Sequence, residues 1–216
     1  RYGRPSIGSG LVFPVSEEDI MIEPVKLEDH WPRIAAIDFG WDHPTAMVWC
    51  AVDNESETFY IYDCYRASKA SPAVHATNIK TRPHFIPIAY PHDGNRRDSM
   101  GNPGLADQYR NLGCNFLLEH FTNPPALGTN KGSNSIEEGL MAILQSIEAD
   151  KFKVFNTLND WFEEFRMYHR KDGKVVPIRD DLLSATRYAF QSQRFAVAGE
   201  DPSWTADVEY RNYGIV

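Results

Sequence analysis

Between Arg33 and Arg66 the chain carries three strand-length runs, IAAIDFG, TAMVWCAVD and TFYIYDCYR, rich in β-branched and aromatic residues and separated by the polar clusters WDHP and NESE. Connections this short permit antiparallel pairing and forbid a parallel crossover, so the spacing predicts a three-strand antiparallel meander. Downstream the pattern alternates. SPAVHATNIKT reads as a helix opening at Pro72, FIPIAY as a strand ending at PHDG, LADQYRNL as a helix closing on Gly113, and CNFLLEHF as another strand. After the loop FTNPPALGTNKGSN, Ser135 and Glu138 open a helix with Ile136, Leu140, Ile143, Leu144 and Ile147 at helical spacing. Residues 156–170 repeat the amphipathic theme, Asp172-Gly173 makes a hairpin-like turn, and RDDLLSATRYAFQSQ is a last helix with an apolar stripe through Leu182, Leu183, Thr186, Ala189 and Phe190. The reading is an α/β domain over 33–195. Before it, residues 1–32 are rich in Gly and Pro and read as an extended entry segment, with one short helix at Ser16 and Asp19. After it, the tail 196–216 has no repeating pattern.

Composition narrows the functions open to such a domain. The 216 residues are enough for one large core that buries roughly 70–75% of the unfolded surface. The net charge of −8 argues against a simple basic nucleic-acid clamp, so any duplex binding by this chain alone is expected to be weak and salt-sensitive. No apolar stretch approaches the ~20 residues of a membrane helix. Cys50, Cys64 and Cys114 are scattered, without a Cys-x-x-Cys pair, and read as reduced core thiols.

Chemistry concentrates on carboxylates in particular settings. Asp38 ends the apolar run IAAID, where an unpaired buried charge is costly. Asp93 follows the apolar strand FIPIAY, with Gly94 leaving room for close approach, and ligand sites of α/β sheets lie beyond the carboxyl ends of strands. Asp180 and Asp181 open the last helix, where the macrodipole favours acids by roughly 0.3–1 kcal/mol. Each of these also has a purely structural use, as turn or cap. Gathered at one rim they would repel one another unless hard cations such as Mg2+ or Mn2+ sat between them. Two such ions, typically ~3.5–4 Å apart, activate a water and stabilise the leaving oxygen of a phosphodiester. His43 and His92 stand beside these acids and either could assist a proton transfer, with turn or packing roles favoured for His43. Arg96 and Arg97 just beyond Asp93, and Lys131 in the Gly-rich loop, are candidates to grip a phosphate backbone, ordinary solvated charge being the alternative reading. Trp161, Phe162, Phe165 and Tyr168 are spaced as core.

The order of AIDFGWDHPTA, two further strands, a strand ending in HDG, the segment KGSNSIEEGL and finally DGKVVPIRDDLLSATRYAF resembles the C-terminal nuclease domain of large terminase subunits of tailed double-stranded DNA phages, over roughly residues 10 to 195. The resemblance implies an RNase H-like fold, a mixed central sheet of an antiparallel meander plus parallel strands flanked by helices. It implies an endonuclease that cuts concatemeric viral DNA during packaging, with Mg2+ or Mn2+ held by Asp38, Asp93 and the Asp180-Asp181 pair, Asp181 first. Many relatives read DAxRYA where this chain has Ser184 to Ala189. The implied partners are double-stranded DNA, the terminase small subunit and the portal protein, in the host cytoplasm and at the procapsid, with no membrane. A large terminase also carries an ATPase motor. This chain has no G-x-x-x-x-G-K-S/T phosphate loop, so residues 1–32 are expected to be the linker from an upstream ATPase domain. The alternatives are a portal-docking or motor-regulating module without catalysis, and another RNase H-like nuclease such as a resolvase.

Overall fold

A computed structural model describes residues 9–96, 103–125 and 132–199. In chain order the first elements are β1 (Ser9–Leu11), α1 (Glu17–Ile20), β2 (Met21–Ile22), β3 (Arg33–Asp38), β4 (Thr45–Asp53), β5 (Thr58–Ala67), α2 (Pro72–Ile79) and β6 (Ile88–Ala89). They are followed by α3 (Leu105–Asn111), α4 (Ile136–Glu148), β7 (Phe152–Phe155), α5 (Asn159–Met167), β8 (His169–Lys171), β9 (Lys174–Val175) and α6 (Asp181–Gln191). The predicted meander is present, β3 against β4 and β4 against β5, both antiparallel. It forms the middle of a six-stranded mixed sheet ordered β2-β7-β5-β4-β3-β6, in which β2, β7 and β6 join by parallel pairing. A separate three-stranded sheet, β1-β8-β9, turns at Asp172 and Gly173, both at positive φ as the Asp-Gly turn requires.

Alternation along the strands divides the core. Ile34, Ala36, Ala46, Val48 and Ile61 face the layer of α4, α5 and α6, whereas Ala35, Ile37, Met47 and Trp49 face α2 and α3. On the first face α6 lies across β3 and β4, with Leu182 and Leu183 buried. Burying two leucines stabilises this contact by roughly 3–6 kcal/mol. Trp161 Nε1 donates to Thr186 Oγ1 at 2.9 Å, locking α5 to α6. Trp161, Phe162, Phe165 and Tyr168 are all core.

Several readings shift in the structure. FIPIAY yields only the two residues of β6, because Pro87 and Pro91 flank it and can donate no ladder hydrogen bond. CNFLLEHF contributes one bridge, Phe116 beside Ile88, and Leu118 is 87% exposed. The strand β7 escapes a sequence reading: four residues between two helices carry too little pattern. Within the entry segment the helix at Ser16 is present with its capping box, and Val12, Phe13 and Ile20 are buried in the core. Trp204, Tyr210 and Tyr213 of the tail lie outside the described residues.

Candidate active site

Asp38 is the last residue of β3, and β6 runs parallel beside it with Ala36 opposite Ala89. Parallel neighbours leave a sheet at the same end. The chain beyond β6 therefore delivers Asp93, on the short 3-10 turn His92–Asn95, to the rim that carries Asp38. The third contribution comes from α6. Helix side chains lean toward the helix N-terminus, so Tyr188, two turns into α6, reaches back and donates its hydroxyl to Asp38 Oδ1 at 3.3 Å. The same packing holds Asp180 and Asp181, at the helix start, over the rim.

Electrostatics reports that convergence. Burial first and the charge of Asp181 next push the Asp38 carboxyl from 3.8 up to about 8, with Asp180 and Asp93 adding and Tyr188 opposing. Burial and Asp181 likewise raise Asp180. Burial raises Asp181, against the opposing field of His43. Burial is the largest cause in each, and the field of neighbouring acids adds at Asp38 and Asp180. The cluster is open: among the described residues no three His, Cys, Asp or Glu side chains are close enough to cage an ion. Asp93 and Asp181 border different clefts on either side of the loop 39–45. One, of ≈ 330 Å³, is lined by Phe39, Trp41, His75 and Asp93 among others; the other, of ≈ 470 Å³, by His43, Arg66, Arg179 and Asp181. Oxygen donors at an open rim suit a hard ion that keeps several waters and takes only one or two carboxylates, as Mg2+ does.

The loop between the clefts is pinched shut by its own backbone. Thr45 Oγ1 donates to the Gly40 carbonyl at 2.8 Å, and a Cβ on Gly40 would stand 2.4 Å from the His43 carbonyl oxygen. Gly94 has a different use from the one expected. The space beside it is filled by Phe39 and Tyr90, each 2.7 Å from where a Cβ would sit, so the glycine serves packing of the turn beneath Asp93. His43 is exposed at the mouth of the larger cleft, and the His92 ring faces that of His120 at 6.4 Å. Arg96 is exposed just past the 3-10 turn. Arg97 and Lys131 lie outside the described residues.

Two groups had no place in the sequence reading. Glu164 on α5 is fully buried, and its Oε2 accepts from the Leu182 backbone N–H at 2.7 Å, while its Oε1 accepts from Arg66 Nη1 at 3.1 Å. Burial pushes its carboxyl up to about 7. Arg66, on β5, stands opposite Ala46, which stands opposite Asp38, so Arg66 and Asp38 share one face two strand spacings apart, about 9–10 Å. The available signal was spacing: Glu164 is three residues from Trp161, on the apolar stripe of its own helix.

Comparison with known proteins agrees with this architecture. A family profile described as the terminase RNaseH-like domain matches residues 35–193. The large terminase subunit of Salmonella phage P22 is 38% identical over 195 residues, 90% of this chain, and the chain spans 38% of that protein's length. The solved P22 large terminase nuclease domain superposes with a TM-score of 0.79 at 37% identity, covering 89% of this chain and 97% of that one. The nuclease domain of the bacteriophage SPP1 large terminase, solved with bound Mn, shares the fold at a TM-score of 0.53 and 17% identity, over 80% of this chain and 95% of that one. With its RNase H-like fold and a profile match that spans most of its length, the chain belongs to the terminase RNaseH-like domain family.

Proposed function

We propose that this domain is the divalent-metal-dependent endonuclease of a large terminase subunit, cutting concatemeric double-stranded viral DNA as genomes are packaged. The observation that carries the proposal is a buried carboxyl at the end of β3, Asp38, that lies within the electrostatic reach of Asp181, Asp180 and Asp93. A buried carboxylate held among three other acids is a poor structural device and a good cation site. Mg2+ or Mn2+, two ions in this reading, would supply Lewis acidity and a water acidic enough to act as nucleophile near neutral pH. Asp38 and Asp181 are the proposed principal ligands, with Asp93 and Asp180 completing the set. Tyr188 orients Asp38 through its hydroxyl. Arg96, Arg97 and Lys131 are proposed to steady the DNA backbone, and the bulk of DNA affinity is assigned to the rest of the protein because the domain is acidic.

The metal bound by the SPP1 domain and the likeness to the P22 nuclease domain support this reading. By the same likeness, residues 1–32 are proposed to lead from an ATPase domain of the full-length chain. The portal and the small subunit are its proposed partners, and the host cytoplasm and procapsid its place of work. The direct test is plasmid cleavage. Nicked and linear products should form with Mn2+ or Mg2+ and be lost with chelator and in Asp38→Asn; equal cleavage by that variant would reject the assignment.

A further inference from the structure

A helix start needs acceptors for its first N–H groups, and the residue before the helix ordinarily supplies one to the second or third N–H. At α6 that residue is Asp180, whose side chain makes no such bond. The second N–H, that of Leu182, is instead taken by Glu164 from α5, at 2.7 Å. Glu164 is 0% exposed, and a buried carboxylate is tolerable only when paired. Arg66 pairs it, and the same guanidinium holds Asp160 at 3.0 Å and Glu163 at 2.8 Å. One carboxylate thereby joins β5, α5 and the first turn of α6, at the residue next to Asp181.

We infer that Glu164 is a positioning residue of the nuclease: it caps α6 in place of Asp180, so that the carboxylates of Asp180 and Asp181 stay free for a cation. This rests on the metal-dependent reading above. Without the borrowed cap, Asp180 holds the position that ordinarily supplies the acceptor for the orphaned N–H, and turning to it would withdraw an oxygen from the acidic rim. Arg66 then has a role beyond surface pairing, because it makes a buried Glu164 affordable.

The test is Mn2+ binding by electron paramagnetic resonance on the metal-free folded domain, read as half-saturating concentration and independent of DNA cleavage. Glu164→Gln keeps an oxygen for the Leu182 N–H and loses the charge. Glu164→Asp keeps the charge and draws the acceptor back by one carbon–carbon bond, about 1.5 Å. Capping predicts that the Asp variant needs about 10–100-fold more Mn2+, the usual range for losing a partner that orients ligands, while the Gln variant stays within about threefold of wild type. Equal half-saturation in wild type and both variants would overturn the inference, as would a loss confined to Gln, which would mark a need for charge. If the Asp variant does not fold, Glu164→Ala, which removes the acceptor altogether, takes its place: a loss of about 10–100-fold in Ala with Gln within about threefold supports capping, and equal half-saturation in Ala and Gln refutes it. Absence of Mn2+ binding by the wild-type domain would instead refute the metal-dependent reading itself.

Discussion

The first turns of α4 and α6 look alike in sequence and are opposites in the fold. Each begins with a residue suited to capping and carries acids in its first turn. At α4, Ser135 does its own capping, its Oγ accepting from the Glu138 N–H at 3.3 Å. Both acids there are engaged: Glu137 receives two bonds of 2.7 Å from Arg170, and Glu138 accepts from Asn123 at 3.2 Å and from the Ser133 hydroxyl. Arg170 holds Glu137 below the usual carboxylate range. At α6 the cap comes from another helix, and among the described residues neither Asp180 nor Asp181 makes an ion pair within 4 Å. Burial pushes both upward. The difference separates acids paired at a helix start from acids that, among the described residues, have no ion pair.

The sharpest way to break the contrast is to neutralise one acid at each end. Asp38→Asn or Asp181→Asn should lower Mn2+-dependent plasmid cleavage by roughly 10³-fold, about 4 kcal/mol of lost charge stabilisation, while Glu137→Gln stays within about twofold of wild type. Comparable losses in all three would erase the distinction.

Next in size is the response to pH. Folded Asp38 keeps its proton to about 8, whereas the unfolded chain releases it near 3.8. Between those values the native state holds the extra proton, so metal-free stability should fall as pH rises from about 4 to about 8 and level off above. With part of the cost screened at the half-exposed rim, about 2 kcal/mol is expected, roughly 4–8 °C in the thermal midpoint. Asp38→Asn should flatten this slope, and saturating Mn2+ should raise the midpoint more at pH 8 than at pH 5. Calorimetry across that range checks both, and a rising metal-free midpoint would contradict the raised Asp38 carboxyl.

Smaller effects belong to α4. Ser135→Ala removes a cap and should cost about 1 kcal/mol, or about 2–4 °C, with Mn2+ binding unchanged. Glu137→Gln should cost only about 0.5 kcal/mol, because its side chain is 58% exposed and water screens the pair. The sign is opposite to that at Asp38. A lowered carboxyl stabilises at neutral pH and loses that contribution as pH falls through its folded value. An acid titration comparing Glu137→Gln with wild type would show the two converging at low pH.

Much of the frame was legible because it is local. The meander follows from three runs and two short turns, the caps at Ser16 and Ser135 from side chains that bond within their own turn, and the reversal at Asp172-Gly173 from backbone conformation. Elements made by distant partners were harder to read. β7 exists because β5 and β2 flank it, and CNFLLEHF reads as a strand by composition although it meets the sheet only around Phe116, where Asn115 and Leu117 bond Ile88. Among site residues, Asp38, Asp93, Asp180 and Asp181 stood out as acids at the ends of apolar elements. Glu164 did not, since one Glu in an amphipathic helix gives no sign that its partner is the backbone of a helix eighteen residues on.

The sequence by itself determined the meander, the capped helices and that acids stand at their ends, because propensity, period and capping act over a few residues. Tertiary structure alone decided that β3, β6 and α6 bring those ends to one rim, and that Glu164 releases Asp180 from capping. Burial and charge repulsion depend on separations in space: Asp38 feels Asp93, Asp180 and Asp181, and Glu164 meets Leu182, only once the sheet and its helices have packed.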